Sequence, residues 1–160
     1  MTWPTLRTWA AGEDITATLL NAQFRDPLKE VGDAWTGYTP VFSAATTNPN
    51  VGSTGSVVGE YIEAGKLIIG HIRITFAGAG VNVGSGVYSI TVPVSVAGTA
   101  VPRAVGSCIF ERAGGFFART PFFVNSTNLG LTDGLGNRLG HTTAFAAGDE
   151  IDIEFQYEAA

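Results

Sequence analysis

The sequence predicts a mainly β protein: an antiparallel β-sandwich, jelly-roll-like in character, carried on a short helical N-terminal arm. Three observations lead there. Apolar and polar residues alternate in several short runs, most clearly near the C-terminus, and a period of two sends one face of a strand to a core and the other to water. Turn signals punctuate those runs, among them Gly65-Lys66, Asp133-Gly134 and Gly136-Asn137. Helical periodicity, by contrast, is confined to the start of the chain. At 160 residues there is room for one domain with a core of its own. The division expected is an arm over residues 1–36 and a β-domain over 37–160.

In the arm, Gly12-Glu13-Asp14 leads into an apolar stretch, and Asp14 is the expected N-cap, its carboxylate accepting from free first-turn amides. Leu20, Phe24, Leu28, Val31 and Trp35 step by four, four, three and four, which is one face of a helix. Asp26-Pro27 interrupts that face. Proline has no amide to donate and disfavours helix before it, so the expectation is a kink, or a restart with Asp26 as cap and Pro27 as first helical residue. Helical pieces this short are marginal alone in water, and their stripe requires burial against another chain or the base of the β-domain.

The β-domain is read strand by strand. Val57 to Ile62 forms one strand, Glu63-Ala64-Gly65-Lys66 a hairpin turn, and Ile68 to Phe76 its partner, with the even positions facing in. Val87 to Val92 alternates and stops at Pro93, and residues 104–112, 116–124 and 127–132 are further strands. The last strand is expected to bury Ile151, Ile153, Phe155 and Tyr157 and to expose Glu150, Asp152, Glu154, Gln156 and Glu158. Seven or eight short strands suit a sandwich better than a parallel sheet.

Composition limits the partners. The net charge of −5 and nine scattered basic residues argue against nucleic acid, which requires a basic face. Charged residues are 14 % of the chain, against about 25 % in an average soluble domain; either part of the surface is hidden against copies or partners, or the surface is simply quiet. Phe116-Phe117 and Phe122-Phe123 put an aromatic ring on each face of a strand, so some rings lie outside the sandwich core. No run approaches the ~20 apolar residues of a membrane span. The N-terminus lacks a signal peptide's basic and apolar regions, which predicts synthesis in a cytoplasm and no membrane insertion.

Chemistry is sparse. Cys108 is the sole cysteine and lies in an apolar run, as a buried thiol would. His71 falls on the outward phase of its strand, where a solvated or cross-strand role outweighs catalysis; His141 follows a turn and is a candidate partner contact. The acidic residues at 149, 150, 152, 154 and 158 suggest a metal or glycosidase cluster at first sight, but a solvated edge that resists sheet-to-sheet aggregation explains them. Gly78 to Gly84 misses the dinucleotide fingerprint and reads as a flexible or tight loop. Asn125-Ser126-Thr127 matches a glycosylation sequon and carries no weight without a sign of secretion. The expectation is a protein without catalytic residues, metal or cofactor.

The run Thr8-Trp9-Ala10-Ala11-Gly12-Glu13-Asp14-Ile15-Thr16-Ala17-Thr18-Leu19-Leu20-Asn21-Ala22-Gln23-Phe24-Arg25-Asp26 resembles a segment at the start of many tailed-bacteriophage structural proteins, of the minor tail, tail-fibre and head-fibre types. Trp35 to Phe42 and Gly59 to Lys66 resemble the opening strands of the β-domain that follows it there, and Phe145 to Ile151 resembles the Gly-Asp turn entering the last strand of jelly-roll modules. The resemblance implies a virion structural protein, assembled in the bacterial cytoplasm, whose arm docks on other virion proteins while the β-domain projects outward for host attachment. It also implies a homotrimer. The chain departs from fibre proteins in lacking a repetitive shaft, which brings in a short spike or a capsid decoration protein; a carbohydrate-binding module for host-surface glycan and, more distantly, a small hydrolase stay open. The assembly interface is expected at Trp3, Trp9, Leu19, Leu20, Phe24, Leu28, Val31, Trp35, Phe116 and Phe122.

Overall fold

A computed structural model describes residues 7–32, 35–98, 103–133, 135–140 and 145–160. The arm comprises α1 (Ala17–Leu20), a π-type turn over Asn21–Arg25, and α2 (Asp26–Gly32). The helix opens on Thr16 rather than Asp14. Thr16 is extended, with φ −87° and ψ 154°, and its hydroxyl accepts from the Leu19 amide, whereas Asp14 lies too far upstream to reach the first-turn amides. Asp26 does not cap a second helix either: at φ −70° and ψ −43° it is itself helical. The interruption expected at Pro27 is instead absorbed just before it, where the helix widens into the π-type turn beside the residue that cannot donate.

Ten strands follow among the described residues. They are β1 (Thr36–Tyr38), β2 (Phe42–Ala44), β3 (Ser56–Ala64), β4 (Leu67–Thr75), β5 (Tyr88–Thr91), β6 (Gly106–Arg112), β7 (Gly115–Arg119), β8 (Pro121–Asn125), β9 (Asn128–Leu131) and β10 (Glu150–Glu158). They form two antiparallel sheets, one in the order β1-β3-β4-β10-β6-β7 and one in the order β2-β5-β9-β8. The expected β-sandwich with a short helical arm is what the chain forms. Gly65, at φ 63°, makes the β3–β4 turn. The stretch 116–124 is two strands, not one: the chain leaves the larger sheet after Arg119 and enters the smaller one at Pro121. Pro121 is the first residue of its strand, a position where a residue without an amide is tolerated, and its carbonyl accepts from the Val105 amide at 3.1 Å.

The two inner faces share one core. From the larger sheet come Ile68, Ile72 and Ile74 of β4, Cys108 and Phe110 of β6, and Ile151, Ile153, Phe155 and Tyr157 of β10; from the smaller come Phe42, Tyr88, Ile90, Phe123, Leu129 and Leu131. Phe76 stacks on Phe145 at 4.3 Å, and Phe123 meets Tyr157 edge-on at 5.1 Å. Cys108 is buried, and burial pushes its thiol pKa well up, which keeps it protonated and unreactive. Burial likewise pushes Tyr157 up to about 12; its hydroxyl donates to the Val94 carbonyl at 2.5 Å.

The acidic C-terminal strand is not an edge. β10 lies in the middle of its sheet, pairing β4 along nine residues and β6 along six, so its carboxylates do not serve as edge protection. Glu154 and Glu158 are exposed as expected, but Glu150 and Asp152 are half-buried among their cross-strand neighbours. Asp149 is buried: its carboxylate accepts from the Ala146 amide at 2.9 Å and stands 3.6 Å from Arg112, which fixes the turn into β10. Residues 78–84 form a tight loop, held where Asn82 and Asn50 exchange backbone bonds of 2.8 and 2.9 Å. The Asn125 side chain is used within its own turn, accepting from the Thr127 amide at 2.9 Å.

Candidate functional site

Two surfaces stand out, the apolar stripe of the arm and a groove across the outer face of the larger sheet. In the stripe, Leu20 is 44 % exposed, Phe24 55 %, Leu28 71 % and Trp35 44 %. Although α2 lies against β3, these four described residues of the stripe are not buried there, as one of the two expected outcomes required. Trp9 is half-buried with the Arg7 guanidinium 5.3 Å above its ring, Arg7 pairs with Glu13, and Leu19 is half-buried. Trp3, the side chain of Val31, and His141 lie outside the described residues.

The doubled aromatics divide. Phe123 is in the core, and Phe122 is half-buried on its own chain with the Arg138 guanidinium 6.0 Å from its ring. Phe116 is 73 % exposed on β7, an outermost strand of its sheet, and Phe117 beside it is also exposed. Of the two rings expected at an interface, the structure leaves Phe116 open and covers Phe122 in part.

The groove, of about 610 Å³, crosses β3, β4 and β10 at the level where β1 and β6 begin. Strand register assembles it. Glu60 faces His71, His71 faces Glu154, and Glu154 faces Ser107, so residues far apart in sequence form one polar row on the outer face. A second row lies two residues along: Ile69 faces Gln156, and Trp35, one residue before β1, closes the groove on that side. Gly106 permits the close approach of β6 to β10 here, since a Cβ at that position would stand 1.8 Å from the Glu154 carbonyl oxygen.

Charge in and beside the groove is unequally committed. Asp152 accepts from Arg73 Nε at 2.8 Å and lies 3.2 Å from His71 Nε2. Burial pushes the Asp152 carboxyl up, but the hydrogen bonds and charge of Arg73 and His71 outweigh it and hold the group below its usual range. The same contact raises the Arg73 pKa. His71 thus has the cross-strand role expected of it. Glu60 and Glu154, by contrast, are exposed, and among the described residues their carboxylates have no hydrogen-bonded or ionic partner. Sequence reasoning named Trp35 for the assembly interface and weighed His71 and the acidic strand, but did not join them into a groove; the signal lay in register, which brings residues 35, 60, 71, 107, 154 and 156 together.

Among the described residues no group of three or more His, Cys, Asp or Glu side chains is placed to hold a metal. No described helix is long and apolar enough to cross a membrane. No family model, curated protein or solved structure matches the chain.

Proposed function

We propose that the protein is a structural, non-enzymatic component of a tailed-bacteriophage particle, a tail-tip, fibre or short spike protein that assembles as a homotrimer. The observation that carries this is the arm: it holds a row of large apolar side chains at helical spacing, and its own β-domain leaves them in water. An exposed apolar stripe of that kind is stable only when another surface covers it. The resemblance of residues 8–26 to the opening segment of phage tail and fibre proteins supplies the class of partner, a virion protein or a second copy of the chain. Exposed Phe116 on an outermost strand supplies a second apolar contact, and a heterologous contact closes without leaving a free face only in a ring.

The test is assembly of the full-length protein. Light scattering on the wild type should give a mass near three times the 16.7 kDa chain, and Phe24→Asp with Leu28→Asp should reduce it to the single chain while the β-domain stays folded. Antibody labelling should place the wild type on the tail of purified particles. A wild-type mass of one chain sinks the trimer; failure to co-sediment with particles sinks the virion role.

A further inference from the structure

We propose that the groove on the outer face of the larger sheet binds a neutral pyranose oligosaccharide, one sugar ring lying against Trp35 and its hydroxyls held by Glu60, Glu154 and Gln156. The inference goes beyond the assembly role, and it takes Trp35, the last residue of the stripe, as left free by the surface that covers Leu20, Phe24 and Leu28.

The groove is amphiphilic in a definite pattern. Its apolar side is Trp35 with Ile69, both substantially exposed. Its polar side is the row Glu60, His71, Glu154 and Ser107, with Gln156 at the end of the apolar one. A pyranose ring has the matching construction, a face of C–H groups bordered by hydroxyls. Binding sites for small molecules combine apolar walls with a few placed polar groups in this way, and a ring of Trp is the most extensive flat apolar surface a side chain offers.

Polar commitment decides the class of ligand. Asp152 is occupied by Arg73 and His71, which leaves Glu60 and Glu154 as the available acceptors. An ionised carboxylate accepts from a hydroxyl in a short, strong hydrogen bond, and Gln156 and Ser107 both donate and accept. Two free negative charges on one row repel an anionic sugar, and the guanidinium of Arg73, on the same sheet face, is already paired. An apolar peptide is disfavoured because it would desolvate both carboxylates without returning a hydrogen bond to either.

The experiment is titration of the full-length, isotope-labelled protein with cellotriose and chitotriose as neutral probes and trigalacturonate as the anionic one, followed by amide shifts. At least one neutral trisaccharide should shift Ile69, His71, Ser107, Glu154 and Gln156 together. Trp35→Ala should weaken that binding by roughly tenfold, the scale of one lost ring-stacking contact. Because Trp35 also ends the arm, Glu154→Gln serves as the second variant: it is isosteric and exposed, and should weaken binding several-fold while leaving the remaining spectrum in place. No shift with either neutral probe, shifts confined to another face, binding unchanged in both variants, or tighter binding of trigalacturonate would each overturn the proposal. A variant that loses sugar binding but assembles normally separates this site from the arm.

Discussion

Phe155 and Phe24 are the same side chain placed on two patterned segments, and the chain treats them oppositely. Phe155 sits on the inward phase of β10, between β4 and β6, and is 2 % exposed. Phe24 sits on the apolar face of the arm and remains mostly in water. Both patterns meet the criterion for burial, periods of two and about 3.6. The difference is that β10 finds its cover within the fold, because a second sheet supplies Phe42, Tyr88, Ile90 and Leu129 opposite it. In the arm, α2 meets β3, but that contact leaves Phe24 and Leu28 uncovered. A hydrophobic period specifies that a face is to be covered, and the rest of the fold decides whether the cover belongs to the same molecule.

The largest expected effect breaks the comparison from the core side. Phe155→Ala should cost about 3–5 kcal/mol of unfolding free energy in urea, the range for emptying a packed aromatic site. Phe24→Ala should change it by no more than about 0.5 kcal/mol in dilute protein, as for an exposed position, while weakening self-association. Equal losses for the two variants would show that the arm packs on the β-domain after all. Gly106→Ala belongs between them: its Cβ meets backbone rather than a movable side chain, and overpacking of that kind costs about 1–3 kcal/mol. Its loss should concentrate in the β6–β10 pairing, seen as faster amide exchange from Cys108 to Phe110.

How much of this was legible depends on whether the signal was local. The alternation in β4 and β10 was readable because each strand has one wet and one dry face, and Ile68, Ile72, Ile74, Ile151 and Ile153 are all fully buried. The position of β10 was not. Its acidic outer face suits an edge or a central strand equally, and the pairing of Asp152 with Arg73 and His71 appears only once residues some eighty apart are in register. The break at Thr120 was missed although Arg119-Thr120-Pro121 interrupts the apolar residues between Phe116 and Val124; that the two halves join different sheets is a matter of long-range pairing and carries no local signal. The groove was the least legible, since each of its residues alone is an ordinary exposed side chain.

A smaller effect sharpens the comparison on the outer face of the β-domain. The Asp152 pKa is held below its usual value in the folded protein, so its ionic contacts stabilise the fold fully above the unfolded pKa and lose effect as pH falls through the folded one. Asp152→Asn should therefore be less stable than wild type near neutral pH. The gap should begin to narrow as pH falls through the ordinary Asp range near about 3.9 and close only below the depressed folded-state value, where the wild-type carboxyl is protonated as well. Because the side chain is 36 % exposed, solvent screening keeps the difference under about 1 kcal/mol. A gap that widens in acid would mean that Asp152 is not held by these partners.

The smallest effect concerns the arm alone. Thr16 caps α1 through the 3.2 Å bond its hydroxyl accepts from the Leu19 amide, and a lost cap of this kind costs about 1 kcal/mol of local helix stability. Since α1 contributes nothing to the buried core, that cost has no route into the unfolding of the β-domain. Thr16→Ala should reduce the helical carbon shifts of Ala17 to Leu20 and leave the urea midpoint unchanged, whereas Asp14→Ala should change neither. If Thr16→Ala lowers the midpoint as well, arm and sandwich unfold as one unit. The apolar stripe would then be stabilised by its own domain, and the case for a second chain covering it would fail at its starting point.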